Sequence, residues 1–237
     1  MNIRTICIYL VVVLGPSSIL GQTSSNLAIK KAVQFLKKKS GHIDPMMIAT
    51  LQHLNKQFAV DIDIRAQRAE ILKNPVGHQK VFIRFLDEKR IASEKELKQV
   101  TGIDYMTALS LYCDVYELPV DYFTLVNGMA KKGGYYLTHA TLSMALIHER
   151  KCKYNETARL RELAFEIPRL EKLILAEPAH SDLKTEAMLM LFLVQRKDLV
   201  KPEWLSQLIA AQQSDGSFGD DHYTVLALWT LLESLRK

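Results

Sequence analysis

Two histidines, His139 and His222, fall where carboxylates gather, and that pairing is the strongest candidate for chemistry in the chain. His222 follows Asp220 and Asp221 and precedes Tyr223. His139 lies close after Tyr136, and Asp44, Asp104 and Asp182 open comparable apolar segments. Imidazoles among carboxylates can hold a divalent metal or work as general acid and base. Helix capping is the simpler account of the aspartates, because a helix N-terminus carries free N–H groups and partial positive charge. Capping suffices for Asp44, Asp104 and Asp182. It does not suffice for His139 and His222, since a neutral imidazole is a poor cap. His148 and Cys152 stand one helical turn apart, a spacing that suits a shared metal, but no second pair matches them. His42, His53, His78 and His180 are scattered and suggest no site.

These residues need helices to position them. Glycine and proline are scarce, 10 and 7 in 237 residues, and apolar positions recur at helical spacing with no strand-like alternation. The breakers predict helices over 26–39, 45–57, 63–73, 79–89, 93–100, 104–117, 120–131, 138–151, 156–176, 182–197, 202–212 and 221–235. Ser93 with Glu96 forms a capping box, Asp104 follows Gly102, and Pro202 sits in a first turn.

Stacked against one another, these segments form a weak repeat. Ile43 to Leu51, Ile103 to Leu111, Thr138 to Leu146, Lys184 to Met190 and Asp221 to Leu228 share one frame, opening polar and turning apolar. Hairpins of this kind bury a common core by stacking, which no hairpin achieves alone. The expected fold is all-α: antiparallel helix hairpins closing into an α/α toroid of about six pairs, with an open α-solenoid as the alternative. Inner helices of such a ring run parallel and present their N-terminal ends on one rim. That rim would carry Asp44, Asp104, His139, Asp182 and the Asp220-Asp221-His222 group, with Tyr136 and Tyr223 beside them.

In the last hairpin Gln212, Asp215, Gly216 and Phe218 stand between Trp204 and His222, in the order Gln-Gln-Ser-Asp-Gly-Ser-Phe-Gly-Asp. This resembles the Gln-x-x-x-Gly-x-Trp motif of the terpenoid cyclase and protein prenyltransferase superfamily, with Phe218 in the place of Trp. The resemblance covers one hairpin and implies an α/α toroid in which this turn joins an outer helix to an inner one. Gln212 would cap the helix end, Asp215-Gly216 would make the turn and Phe218 would cover the junction. Activities do not carry over with it, because one scaffold hosts many functions. Asp61-Ile62-Asp63 is only a fragment of a cyclase's aspartate run, and neither Cys113 nor Cys152 lies in a thioester sequence. His222 falls near a prenyltransferase zinc ligand, yet the partner ligands of that site have no counterpart.

Met1 to Arg4 followed by an apolar run to Leu14 reads as a signal peptide over residues 1–21, cleaved near Gly21, leaving a single domain over 22–237. The protein is then secreted or periplasmic, with no membrane span after cleavage. Asn155-Glu156-Thr157 is a glycan acceptor only where the cell supplies that machinery. Cys113 and Cys152 form either one disulfide or two buried thiols. A formal net charge of +5, without basic residues interleaved with aromatics along a surface, argues against nucleic acid as a partner.

The reading these observations favour is a binding or scaffold module that takes a protein, glycan or lipid ligand on its concave or rim face. A metal-assisted hydrolase or lyase built on His139, His222 and the rim aspartates is the first alternative. A degenerate isoprenoid cyclase relative is the second.

Overall fold

The computed structural model describes residues 16–39 and 41–236, with side chains from residue 23. The proposed signal peptide over 1–21 lies largely outside the described residues. Among the described residues all regular structure is helical, with twelve α-helices and no strand. No described helix is long and apolar enough to cross a membrane.

The helices fall into two kinds by how much of their circumference is buried. α8 (Gly134–Glu149), α10 (Asp182–Leu193) and α12 (Asp221–Leu235) bury residues on every side, such as the run Lys184 to Leu191 in α10. Such helices must be surrounded by others. α7 (Tyr122–Ala130), α9 (Glu156–Ala176) and α11 (Pro202–Ala210) bury a single stripe. The packing follows from that difference. α10 lies between α8 and α12, α6 (Asp104–Leu111) packs on α8, and α12 packs on both α1 (Pro16–Lys38) and α2 (Pro45–Phe58). α7 and α9 cover their neighbours in the chain, α7 on α8 and α9 on α8 and α10, whereas α11 lies on the distant α1. Short helices α3 (Arg65–Lys73), α4 (Gln79–Phe82) and α5 (Glu94–Leu97) lie between α2 and α6 in the chain; α3 packs on α2 and the main core, while α4 and α5 enclose with α6 a smaller core around Val81, Leu97, Leu111 and Tyr112.

Several boundaries depart from those the sequence predicts. α1 begins at Pro16, ten residues before Asn26, and so runs through Gly21. α6 stops at Leu111, short of Glu117, because Arg84 takes the Leu111 carbonyl at 2.7 Å and grips the Asp114 carboxylate at 2.7 and 2.6 Å. Arg84 is only 4% exposed, and its guanidinium also lies 4.9 Å from the Tyr112 ring. The expected helix over 79–89 breaks after Phe82 into a single 3-10 turn, Ile83–Phe85. α8 starts at Gly134, earlier than Thr138, because Gly133 and Gly134 take φ of +72° and +54° and turn the chain. The capping box of Ser93 and Glu96 forms as read.

Cys113 and Cys152 are joined by a disulfide, with Cα atoms 5.5 Å apart, which staples the end of α6 to the end of α8. The bond consumes the thiol that His148 would have shared with a metal. His148 turns instead to the Tyr154 hydroxyl at 3.0 Å.

The Gln212 to Phe218 turn docks the last hairpin onto α1. The Gln212 amide donates to the Gly216 carbonyl at 3.0 Å and to the Ala28 carbonyl of α1 at 2.9 Å, so it ties two elements together and does not cap its own helix. Phe218 is 4% exposed and meets the Tyr223 ring at 5.8 Å. Gly216 has φ of +96°, and a Cβ there would stand 2.5 Å from the Lys31 carbonyl oxygen. That neighbour is helix backbone and cannot give way. Gly216→Ala should therefore cost at least about 2 kcal/mol in urea unfolding, from strain and the lost approach of α1 together. The same change at Gly128, where nothing lies within 4 Å, serves as the control.

Candidate functional site

The starts of α6, α8, α10 and α12 bring most of the candidate residues together. His139, in the second turn of α8, lies with Nδ1 3.5 Å from Asp104 and Nε2 3.8 Å from Glu186. Asp104 also faces His78 Nδ1 at 3.3 Å. One turn before Glu186 on α10, Asp182 accepts the Tyr135 hydroxyl at 2.7 Å and lies 3.5 Å from His222 Nδ1. The result is a row in which imidazoles and carboxylates alternate, His78–Asp104–His139–Glu186, continued by Tyr135–Asp182–His222.

Asp221 anchors the far end of the row. It accepts the Lys39 ammonium at 2.6 Å and the Asp44 backbone N–H at 3.2 Å, drawing α12 to the loop between α1 and α2. Lys39, Asp44, Asp220, Asp221 and His222 line a concavity of about 240 Å³. A second concavity, about 540 Å³, is lined by Asn55 and the Ala59 to Arg65 loop and contains Asp61 and Asp63. Neither has an aromatic lining. Asp63 is bonded to Arg65 at 2.9 and 2.8 Å, and Asp61 pairs with Lys37 at 3.3 Å.

Capping divides the aspartates differently from the sequence reading. Asp44 caps α2 by accepting from Met46, and Asp220 caps α12 by accepting from Tyr223. Ser181, not Asp182, caps α10, and α6 has no side-chain cap at all. Asp104 lies at ion-pair distance from His78 and His139, and Asp182 accepts from the Tyr135 hydroxyl and the Leu183 N–H with His222 beside it. Tyr136 does not join the row, since the Lys132 ammonium sits 4.6 Å from its ring; Tyr135 takes the place expected of it.

Burial tunes the groups at the centre. It holds the His139 imidazole below its ordinary range, against the pull of Asp104 and with His222 adding to the effect. It pushes the Glu186 carboxyl up to about 7, while the Thr138 hydroxyl, donating to it at 2.6 Å, draws it part of the way back. Burial and the bond to Asp182 raise the Tyr135 phenol. Burial raises the Tyr223 phenol, the Thr185 hydroxyl draws it part of the way back and Asp182 adds to the rise; His139 Nδ1 has no hydrogen-bond partner.

Glu186 makes the stability of the fold depend on pH. The unfolded carboxyl ionises near 4.5 and the folded one near 7, so the folded state loses stability as pH rises between those values. Glu186→Gln should remove that slope, worth about 3 kcal/mol, when unfolding free energies at pH 4.5 and pH 8 are compared.

Among the described residues no group of three or more His, Cys, Asp or Glu side chains is arranged to hold a metal. The metal ligation considered for His139 and His222 therefore finds no supporting set, and each imidazole meets its carboxylates in pairs. His78, Tyr135, Glu186 and Lys39 belong to the site without having been singled out from sequence. Glu186 had a signal there, an acidic residue one turn after Asp182 inside an otherwise apolar stretch. No protein-family model, curated protein or solved structure was found to match the chain.

Proposed function

We propose that the chain is a secreted binding module whose polar rim, at the N-terminal ends of its central helices, takes a ligand. The observation that carries this reading is the row His78–Asp104–His139–Glu186 with Tyr135–Asp182–His222, assembled from segments far apart in sequence. A purely structural role needs no such alternation of imidazole and carboxylate, because capping and burial of apolar surface stabilise helices without it. The scaffold we infer is a terpenoid cyclase-like α/α toroid of helix hairpins. The docking of Gln212 and Gly216 on α1 supports that likeness, and the packing of α12 against α2 supports a ring over an open solenoid. The Cys113–Cys152 disulfide supports an oxidising compartment and hence secretion.

One observation favours a second reading, a hydrolase or lyase that uses no metal. Asp182, held by Tyr135, faces Nδ1 of His222, and His222 borders the 240 Å³ concavity, the arrangement of an oriented general base. The cyclase reading has no aromatic-lined concavity to support it.

Peptide, glycan and lipid arrays probed with wild type and with His139→Ala/His222→Ala test the proposal. The binding reading expects ligands held by wild type and lost by a folded variant. Ligands held equally by both would overturn it, and turnover of an arrayed compound lost in the variant would establish the second reading in its place.

A further inference from the structure

Resting on the secretory part of the function proposed above, we propose that Asn155 carries an N-linked glycan. The chain has a single sequence of the form Asn-x-Ser/Thr, Asn155-Glu156-Thr157; Asn2, Asn26, Asn55, Asn74 and Asn127 all lack a serine or threonine two residues on. A three-residue match says little alone. The fold adds what the motif cannot, because Asn155 and Thr157 are both exposed, at the turn where α8 gives way to α9.

The two ends of the Asn155 amide have separate tasks. Oδ1 accepts the Ala158 N–H at 3.0 Å and caps α9, while Nδ2 makes no hydrogen bond among the described residues. In the transfer, Nδ2 attacks the anomeric carbon of an oligosaccharide carried on a lipid diphosphate. The nitrogen–carbon bond forms as the carbon–oxygen bond to the diphosphate breaks; the lipid diphosphate leaves with the electron pair, and the amide nitrogen loses one proton. The carbonyl oxygen is untouched, so the cap survives the modification. The turn itself is fixed by its neighbours: Arg159 holds Glu156 and the Met144 carbonyl of α8, each at 3.0 Å, and Tyr154 meets His148 at 3.0 Å. Three residues before Asn155, Cys152 is bonded to Cys113, and such bonds persist in the oxidising secretory compartments where these glycans are added. The rim stays clear, because α8 carries the chain about 15 Å between His139 and Glu149 before the turn begins.

The test is mass spectrometry on the full chain expressed in mammalian cells, applied to protein from the medium and from the cells. Secreted wild type should lose mass on treatment with peptide-N-glycosidase F, and the tryptic peptide spanning position 155 should then show Asn155 converted to aspartate. Thr157→Ala destroys the acceptor sequence but keeps Asn155 and its cap, so it should lack the glycan and match the circular dichroism spectrum of wild type. The peptide from wild type is read directly and so decides the matter even if the variant fails to fold. Secreted protein with the Cys113–Cys152 bond formed and Asn155 unmodified overturns the inference and leaves secretion standing. A bare, reduced chain retained in the cytosol overturns secretion and the glycan together. A glycan that persists in Thr157→Ala lies on another residue and also overturns the assignment.

Discussion

Replacing Cys113 and Cys152 by serine should lower the unfolding free energy by about 4 kcal/mol. The bond closes a loop of 39 residues, and the chain-entropy relation gives that figure for a loop of this length. The loop contains all of α7 and α8, so its release frees a large part of the unfolded chain while leaving the α6–α8 contact to hold by packing alone. Urea unfolding of oxidised wild type, dithiothreitol-reduced wild type and the double serine variant provides the check. The last two should coincide and both should fall well below the first. A reduced protein as stable as the oxidised one would show that the bond constrains little that α6 and α8 do not already fix.

Glu166→Met should stabilise the protein, and by more at high pH than at low. Glu166 lies on α9 facing α8, has no exposed surface, and neither carboxylate oxygen has a hydrogen-bond partner. Burial pushes the carboxyl up to about 8 from 4.5, with the nearby Thr141 hydroxyl drawing it part of the way back and Glu162 adding to the rise. The folded state therefore keeps a proton that the unfolded state releases, and stability falls as pH rises from 4.5 to 8. The cost at the upper end is about 5 kcal/mol if the full difference is realised. Met has a similar length and no charge, so the variant should lack this slope. Unfolding at pH 5 and pH 8.5 measures it: the gap between variant and wild type should widen by several kcal/mol. A gap independent of pH would mean that the carboxyl is solvated in the folded state after all.

How much of this could be read from sequence depended on whether the cause was local. α9 and α12 were placed to the residue, because Asn155 and Asp220 cap them and no distant group competes for their ends. The ends of α6 and α10 were overrun, since what stops α6 is Arg84, 27 residues before the Leu111 carbonyl it binds. No periodicity carries that information. The rim followed the same division. His222 is legible because it stands at a helix start where capping does not account for it, whereas Asp182 reads as a cap and the cap is Ser181. Asp104 was noted for the wrong reason, as a cap, when its partners are His78 and His139. The sequence places Tyr136 near the rim by proximity alone, and it predicts α8 from Thr138 where the helix starts at Gly134, so it holds no information on which of two adjacent tyrosines meets Asp182. Glu166 and Arg84, the most deeply buried charges in their surroundings, were invisible, because a charged residue in a helix reads as surface until its neighbours are known.

The packing of α12 against both α1 and α2 bears on how the chain must fold. Contacts between its first and last described helices span almost the whole sequence, so the entropy of closing that loop is met late, and folding cannot simply spread outward from any one hairpin as it can in an open array. A ribosome-bound chain lacking α12 would present the flanks of α10, α1 and α2 uncovered, and the molecule reaches its native arrangement only when the final helix arrives to fill the space among them.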